Sequence, residues 1–532
     1  MIYEEQQTIE EFNGNENASK RFKHDPELYE APSAEEMYTL KNTENLYHSN
    51  LLRLQLDELL NEIKLPEDKS RVFNALINDL IKSLKSMKTV KDIKYTDFKL
   101  FESKNLTLPL SDLCKKIIKE GSYTFDGPKN VSQIGSFASN TQIKTSEQFS
   151  ADICLEIGES FFNERDYLNY RYFIKRSLYI GHTYLHLMNS KRYSKLKYHF
   201  QSDFSAAFKP QLCMLFEDVG LQVTLHFIPS GSAFKLSRFN PSQCNVRRDF
   251  YTKNINSDIK IEDVSGKNSD EIFDPTPNYN FEVLADLTAI RNNEIIMERF
   301  GNSKSLLEAV KLVKLWLLKR ELNKGSGCFD NFSLNMFILY LLCNRQINPL
   351  MSPYQIFRLV LINLSEANWD KKGISLRDFI KNDSESANET KNLVTIDHFH
   401  QHYSIVFLDT TGFMNITSKM SIQTFQKLKF DAKVSLSLLN DESADNFDKI
   451  FIQTHQFSLE CDALINISPN SSQTFYFDII KNTKNTSRTL KLIENYNNSY
   501  CVSLEAVMDV LKSALEKRTN LIYAKLVEQL KS

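Results

Sequence analysis

Ile134-Gly135-Ser136, followed after a short segment by Ser150-Ala151-Asp152-Ile153-Cys154-Leu155-Glu156-Ile157, is the stretch on which the reading of this chain turns. A Gly-Ser turn ahead of a helix presents backbone N–H groups to phosphates, the arrangement that nucleotidyl transfer needs at a triphosphate. Carboxylates at i and i+2 on the next strand share a face and hold two Mg²⁺, with a third carboxylate from a neighbouring strand. Here Asp152 fills the first place and Cys154 stands in the second. Glu156 shares that face but lies too far along the strand for its ligand atoms to converge with those of Asp152 on one metal pair. The third acid is expected on Leu221 to Ile228, which reads Leu-Gln-Val-Thr-Leu-His-Phe-Ile and contains none. Gly135, Ser136 and Asp152 thus read either as a vestige of such a site, with Cys154 in place of the second acid, or as no more than a turn and a strand residue, since short motifs recur by chance; on either reading no catalytic residue and no metal is assigned.

Outward from this stretch the pattern is α+β. Val131 to Phe137, Ala151 to Ile157, Gln211 to Phe216 and Leu221 to Ile228 have strand character, and Tyr167 to Met188 reads as a long aromatic-rich helix. Upstream, leucines 51 to 60 and the apolar residues Val72 to Leu84 recur at helical spacing around Leu65-Pro66, a hairpin over 44–95. Its apolar stripes need a further surface, on the following domain or on a partner. Residues 1–43 are acidic, polar and poor in branched aliphatics, and are expected to be disordered. A transferase-like domain then occupies 96–275, closed by the polar run Ser257 to Asp270 and Asp274-Pro275-Thr276-Pro277. Helices over Leu306 to Leu322, Phe332 to Cys343, Tyr354 to Leu364 and Ser421 to Leu439 make a helical domain over 276–445, interrupted by a polar linker at Asn382 to Asn392. Gly325-Ser326-Gly327 follows a helix and lacks phosphate-loop spacing, so it reads as a helix–helix turn. A further mixed segment begins at Phe447.

The 532 residues carry 65 Lys plus Arg against 67 Asp plus Glu, a net charge of −2, which excludes a uniformly basic coat and makes any nucleic-acid contact local. The length corresponds to roughly three or four folding units. Cysteines 114, 154, 213, 244, 328, 343, 461 and 501 form no CxxC pair and read as reduced, mostly buried thiols. No signal peptide or membrane span is recognised, so a soluble, intracellular chain is expected. Positive charge concentrates at Arg165, Arg171, Lys175, Arg176, Lys191, Arg192, Lys195 and Lys197, with tyrosines 167, 170, 172, 179, 184 and 193 interleaved. The tyrosines suit stacking on bases and the cations suit phosphate, making this the candidate RNA- or partner-facing patch, against a bland alternative of a solvated face whose tyrosines are core. His182 and His186 share a helix face, and His398, His400 and His402 alternate as on a strand; neither set has the ligands of a metal site.

The run Asp166-Tyr167-Leu168-Asn169-Tyr170-Arg171-Tyr172 with Lys175-Arg176-Ser177-Leu178-Tyr179 resembles the nucleolar protein 6, or Nrap, family. Further matching pieces are Gly327-Cys328-Phe329, Met351-Ser352-Pro353-Tyr354-Gln355-Ile356-Phe357-Arg358 and Val406 to Asn415, in the family's order. The resemblance implies a degenerate nucleotidyltransferase-like domain, an α-helical poly(A)-polymerase-like domain and the start of a second transferase-like module over 446–532. It implies a non-catalytic scaffold of the small-subunit processome, acting in pre-ribosomal RNA processing in the nucleus and nucleolus. The expected partners are processome proteins and pre-ribosomal RNA, with no cofactor, membrane or small-molecule substrate. Two competing readings are an active template-independent RNA nucleotidyltransferase using Asp152 and Glu156 with a third acid not identified, and a generic adaptor unrelated to RNA.

Overall fold

The computed structural model describes residues 35–37, 50–97, 121–145, 148–201, 209–246, 275–301, 303–323, 327–379, 394–441 and 446–454, with isolated positions at 33 and between 101 and 118. Most of the expected disordered head, Ser257 to Asp270, Gly325-Ser326, Asn382 to Asn392 and everything after 454 lie outside the described residues.

Helices α1 (Asn50–Glu62) and α2 (Glu67–Lys85) form the expected hairpin. Pro66 sits at the N-cap of α2, where its fixed φ and missing N–H cost nothing. The hairpin docks on the following domain. Phe73, Ile77, Leu80 and Leu84 are buried, each contributing about 2 kcal/mol. The Phe73 ring lies 5.5 Å from Phe149, and His186 Nε2 donates to the Ser83 carbonyl at 2.9 Å. Strands β1 (Val90–Lys94) and β2 (Ser122–Phe125) pair beside it as a small sheet.

The main sheet contains β3 (Asn130–Ile134), β4 (Phe149–Ile157), β5 (Lys197–Gln201), β6 (Gln211–Phe216) and β7 (Leu221–Pro229) in the order β3-β4-β7-β6-β5. Only β4 and β7 run parallel in it, aligning Asp152 with Thr224 and Cys154 with His226. Ala151, Ile153, Leu155, Val223, Leu225 and Phe227 fill one face with no exposed surface. Helix α4 (Arg171–Met188) covers that face, the Tyr179 ring lying 6.2 Å from Phe227. Period-two alternation therefore places Asp152, Cys154, Glu156, Thr224 and His226 on the other face. Ile134 ends β3, and the short helix α3 (Gly135–Ala138) follows, so the strand stops before Ser136-Phe137.

Helix α4 starts at Arg171, later than its aromatic periodicity suggests. Asn169 and Tyr170 adopt left-handed conformations (φ 52° and 61°), which no continuing helix accommodates. Tertiary contacts hold them there: Asn169 N donates to the Asn245 carbonyl, and the Tyr170 ring lies 5.3 Å from Tyr279. Helix α5 (Pro277–Phe300) escaped sequence reading altogether, because its buried face carries Asn280, Glu282, Asp286 and Asn292. Interleaved with the buried Val283, Leu284 and Leu287, these polar groups blur the apolar period.

The helical domain follows as α6 (Lys304–Lys319), α7 (Asn331–Cys343), α8 (Pro353–Ser365), the short α9 (Ile396–His400) and α10 (Ile422–Asn440). Ser303, Asp330, Ser352 and Ser421 cap α6, α7, α8 and α10, with a full capping box between Ser352 and Gln355. His398 and His400 lie on α9 with His402 just beyond, so the strand expected there is a helix; His398 and His402 meet across one turn at 5.5 Å. Gly327, at φ 70°, accepts from Ser421 N. Residues 446–452, assigned by sequence to the next module, pack on this domain: Phe451 lies 5.1 Å from Phe357, and Arg320 donates to the Ile450 carbonyl at 2.9 Å.

His182 is buried on α4 among Phe101, Phe125 and Tyr123, with Nε2 and the Tyr123 hydroxyl 2.8 Å apart. Desolvation lowers its pKa from 6.5 to about 4. The folded value lies below the unfolded one, so stability is full above pH 6.5 and falls as pH drops toward 4. We expect a loss of about 3 kcal/mol over that window. Urea midpoints of wild type and His182→Gln compared from pH 7 to 4 check it; equal slopes would refute the assignment.

Candidate functional site

The face of β4 and β7 opposite α4 meets helices α5 and α6. Gly135 has φ 75°, and a Cβ there would lie 2.7 Å from Asp152 Oδ2, so only glycine lets the turn close on this carboxylate. Asn293 of α5 accepts the Gly135 N–H at 3.3 Å. A donor of the kind a Gly-Ser turn would offer to phosphate is thus engaged by the neighbouring helix. Ser139 Oγ donates to the Gly135 carbonyl, tying the turn back on itself.

Asp152 is joined to its parallel neighbour. His226 Nε2 lies 2.9 Å from Asp152 Oδ1, both side chains being about one quarter exposed. The strand expected to carry a third acid therefore presents a histidine, hydrogen-bonded to the first acid. Cys154, between Asp152 and Glu156, is buried, and desolvation first, then the Glu156 charge, pushes its thiol up to about 12. A protonated thiol is no ligand for a hard cation. Glu156 lies about 13 Å along the strand from Asp152 and faces Lys129, Nζ to Oε1 being 3.5 Å. Burial, then the Glu156 charge, raises the carboxyl of Glu294 on α5. Among the described residues no group of three or more His, Cys, Asp or Glu side chains is placed to hold a metal ion.

Sequence reading missed a cation here. Lys314 of α6 is 2% exposed and donates from Nζ to Thr141 Oγ1 at 2.8 Å and to the Thr141 carbonyl at 3.2 Å. Burial, then repulsion from Lys311, lowers its pKa to about 7, and the charge of Asp152 opposes that fall. The available signal was two lysines three residues apart inside the apolar run Val310 to Leu317. A charge on the buried side of an amphipathic helix marks an interface with a polar group opposite.

The basic stretch divides. Lys175 is 6% exposed, paired with Asp166 at 2.6 Å and donating to the Phe161 carbonyl. Arg176 is 1% exposed and reaches the Phe227 carbonyl (3.1 Å), the Pro210 carbonyl and Asp286 (3.6 Å). Both are core cations and cannot reach a nucleic acid, contrary to the sequence reading. Tyr170, Tyr172, Tyr179 and Tyr193 are buried too, Tyr172 donating to Asp286 Oδ2 at 2.6 Å. Stacking on bases by this tyrosine set is thereby excluded for those four. Arg165, Arg171, Lys191, Arg192, Lys195 and Lys197 are exposed. Arg192 pairs with Asp79 and Lys197 with Glu217, at 2.8 and 2.6 Å. His182 and His186 face Tyr123 and Ser83, which accounts for both as packing residues. Cys154 and Cys213 are buried, whereas Cys244, Cys328 and Cys343 are only partly so. No helix among the described residues is long and apolar enough to cross a membrane.

A mixed sheet carrying a Gly-Ser turn and a strand carboxylate, backed by a helical companion, is a nucleotidyltransferase-like α+β architecture. The family model described as Nrap protein domain 1 matches residues 84–300, and that described as Nrap protein PAP/OAS-like domain matches 305–454. The chain belongs to the Nrap, or nucleolar protein 6, family. It is 28% identical to nucleolar protein 6 of Xenopus tropicalis over 503 residues, covering 93% of this chain and 41% of that protein. It is 29% identical to the Homo sapiens protein over 448 residues, covering 84% and 37%. The chain thus spans about two fifths of the length of these curated relatives, and with them it is placed in the nucleus and nucleolus. Among solved structures it is similar to Escherichia coli MS115-1 CdnC with ATP, at 13% identity, TM-score 0.42 and coverage of 74% of this chain and 96% of that one. The Cid1 poly(U) polymerase gives 12%, TM-score 0.39, 76% and 99%. At such scores neither likeness bears on chemistry.

Proposed function

We propose that the chain is a non-catalytic scaffold of ribosome biogenesis, acting in small-subunit processome assembly and pre-ribosomal RNA processing by binding proteins and RNA, with no cofactor and no small-molecule substrate. The observation that carries the non-catalytic part is His226, hydrogen-bonded to Asp152 at the register position beside Cys154. Two-metal catalysis needs carboxylates converging on one point. Here the first acid is engaged by an imidazole, the second place holds a protonated thiol, and Asn293 has taken the Gly135 N–H. The part played in ribosome assembly is supported by membership of a family whose curated members are nucleolar proteins.

The purified chain incubated with labelled RNA, each NTP and Mg²⁺ or Mn²⁺ is expected to leave RNA length unchanged. Extension that disappears in Asp152→Ala would overturn the non-catalytic reading and favour a transferase using Asp152 and Glu156. Recovery of the chain with pre-ribosomes is the expected result for the scaffold; recovery free of ribosomal RNA and its assembly proteins would favour an adaptor outside this pathway.

A further inference from the structure

We propose that the free edge of β5 is a docking site for an extended acidic peptide of a partner protein, which pairs with it as an added strand. This inference deepens the scaffold reading above and rests on it for the partner's being a protein.

Strand β5 is the outer member of the five-stranded sheet, paired among the described residues on one side only, with β6 from Lys197↔Leu215 to Gln201↔Gln211. In an antiparallel pair alternate residues turn their N–H and C=O away from the neighbour. Among the described residues none bonds those outward groups of β5. Lys197, His199 and Gln201 are exposed, while Tyr198 and Phe200 are half-buried on the opposite face. The strand is held from beneath: the Tyr198 hydroxyl donates to the Tyr193 carbonyl at 2.9 Å, and its ring lies 5.3 Å from Tyr184. A rigid strand with an unpaired outer row of backbone groups is the template that strand addition uses.

Charge selects the occupant. Lys191 and Lys195, just before β5, are exposed and have no acidic partner among the described residues, whereas Arg192 and Lys197 are occupied by Asp79 and Glu217. Asp218, also exposed, completes the acids that follow the neighbouring end of β6. Two cations are therefore left for carboxylates arriving beside the strand's first residues. RNA is the poorer fit: Tyr193 is buried, Tyr198 is engaged below the sheet, and a ladder of alternating N–H and C=O matches a peptide backbone.

The test uses the full chain and a labelled acidic peptide of about eight residues alternating Glu with Val and Thr, long enough to pair along all five residues of β5. Its control has proline at alternate positions, with equal charge and no ladder donors there. Binding of the first roughly tenfold tighter than of the second is expected, a difference of about 1.4 kcal/mol. The amides of 197–201 should gain hydrogen-exchange protection, and the double change Lys191→Glu, Lys195→Glu should weaken binding by about tenfold or more. Both lysines are exposed and make no ion pair among the described residues, so this variant is expected to fold. Equal binding of the two peptides, no binding, or protection elsewhere would overturn the proposal, as would tighter binding of a single-stranded RNA that displaces the peptide. The RNA-extension assay reads catalysis separately, so failure here is distinguishable from failure of the non-catalytic reading.

Discussion

Arg176→Ala is expected to lower the unfolding free energy by about 3–5 kcal/mol, the range for removing one partner of a buried ion pair. The guanidinium is 1% exposed and joins three separate elements: Phe227 on β7, Pro210 before β6 and Asp286 on α5. Removing it leaves two buried carbonyls without this donor and takes one cation from Asp286, which retains Lys209 at 2.8 Å and the Tyr172 hydroxyl. Burial of an unpaired acceptor costs about 1–3 kcal/mol by itself. Arg192→Ala is the matched control. Its partner Asp79 and its own guanidinium are both about half exposed, so solvent screens the pair and less than ~1 kcal/mol is at stake. Urea titration of the far-UV signal compares the two. Similar midpoints for both variants would show that Arg176 is a surface cation after all, and would reopen the sequence reading of it as an RNA contact.

Lys314→Met is expected to act in the opposite direction, stabilising the chain by ~3 kcal/mol at pH 7. A fall in pKa from 10.5 to about 7 corresponds to a penalty of roughly 5 kcal/mol for holding this amine in the fold. Two hydrogen bonds to Thr141 are lost in the variant and offset about 2 kcal/mol of the gain. Because the folded value lies below the unfolded one, the unfolded chain holds a proton between pH 7 and 10.5 that the folded chain has released. Stability of the wild type therefore rises with pH across that window, and below pH 7 the penalty is constant. Urea midpoints measured from pH 7 to 10 should climb for the wild type and climb less for Lys314→Met. Parallel curves, or a destabilised variant at pH 7, would sink the account of Lys314 as a desolvated amine beside Asp152.

Much of the architecture was legible because it obeys a period. Ala151, Ile153, Leu155 and Ile157 alternate as a half-buried strand must, and α6, α7, α8 and α10 fall on the apolar helical periods read over Leu306 to Leu322, Phe332 to Cys343, Tyr354 to Leu364 and Ser421 to Leu439. What failed lacked that signal. Helix α5 buries Asn280, Glu282, Asp286 and Asn292 among Val283, Leu284 and Leu287, and polar groups interleaved on the buried face blur its apolar period. Tyr167 to Tyr170 read as helix because nothing local forbids it, yet contacts from Asn245 and Tyr279 hold two residues left-handed. His398 to His402 were given a strand by an alternation that a short helix capped by Thr395 carries equally well.

The same division runs through the site. Residue identity along one strand was enough to show Cys154 where a second acid would stand and no acid between Leu221 and Ile228. Those are facts of composition at fixed spacing. Which atoms answer Asp152 was decided by pairing between β4 and β7, far apart in the chain, and by the approach of α5 and α6: His226 as its partner, Asn293 on Gly135, Lys314 behind Thr141. Sequence also placed eight cations between Arg165 and Lys197. It could not divide them, because burial is a property of the assembled layers. Only the fold put Lys175 and Arg176 under the sheet with acids to meet them, and left Lys191 and Lys195 in water beside an open strand.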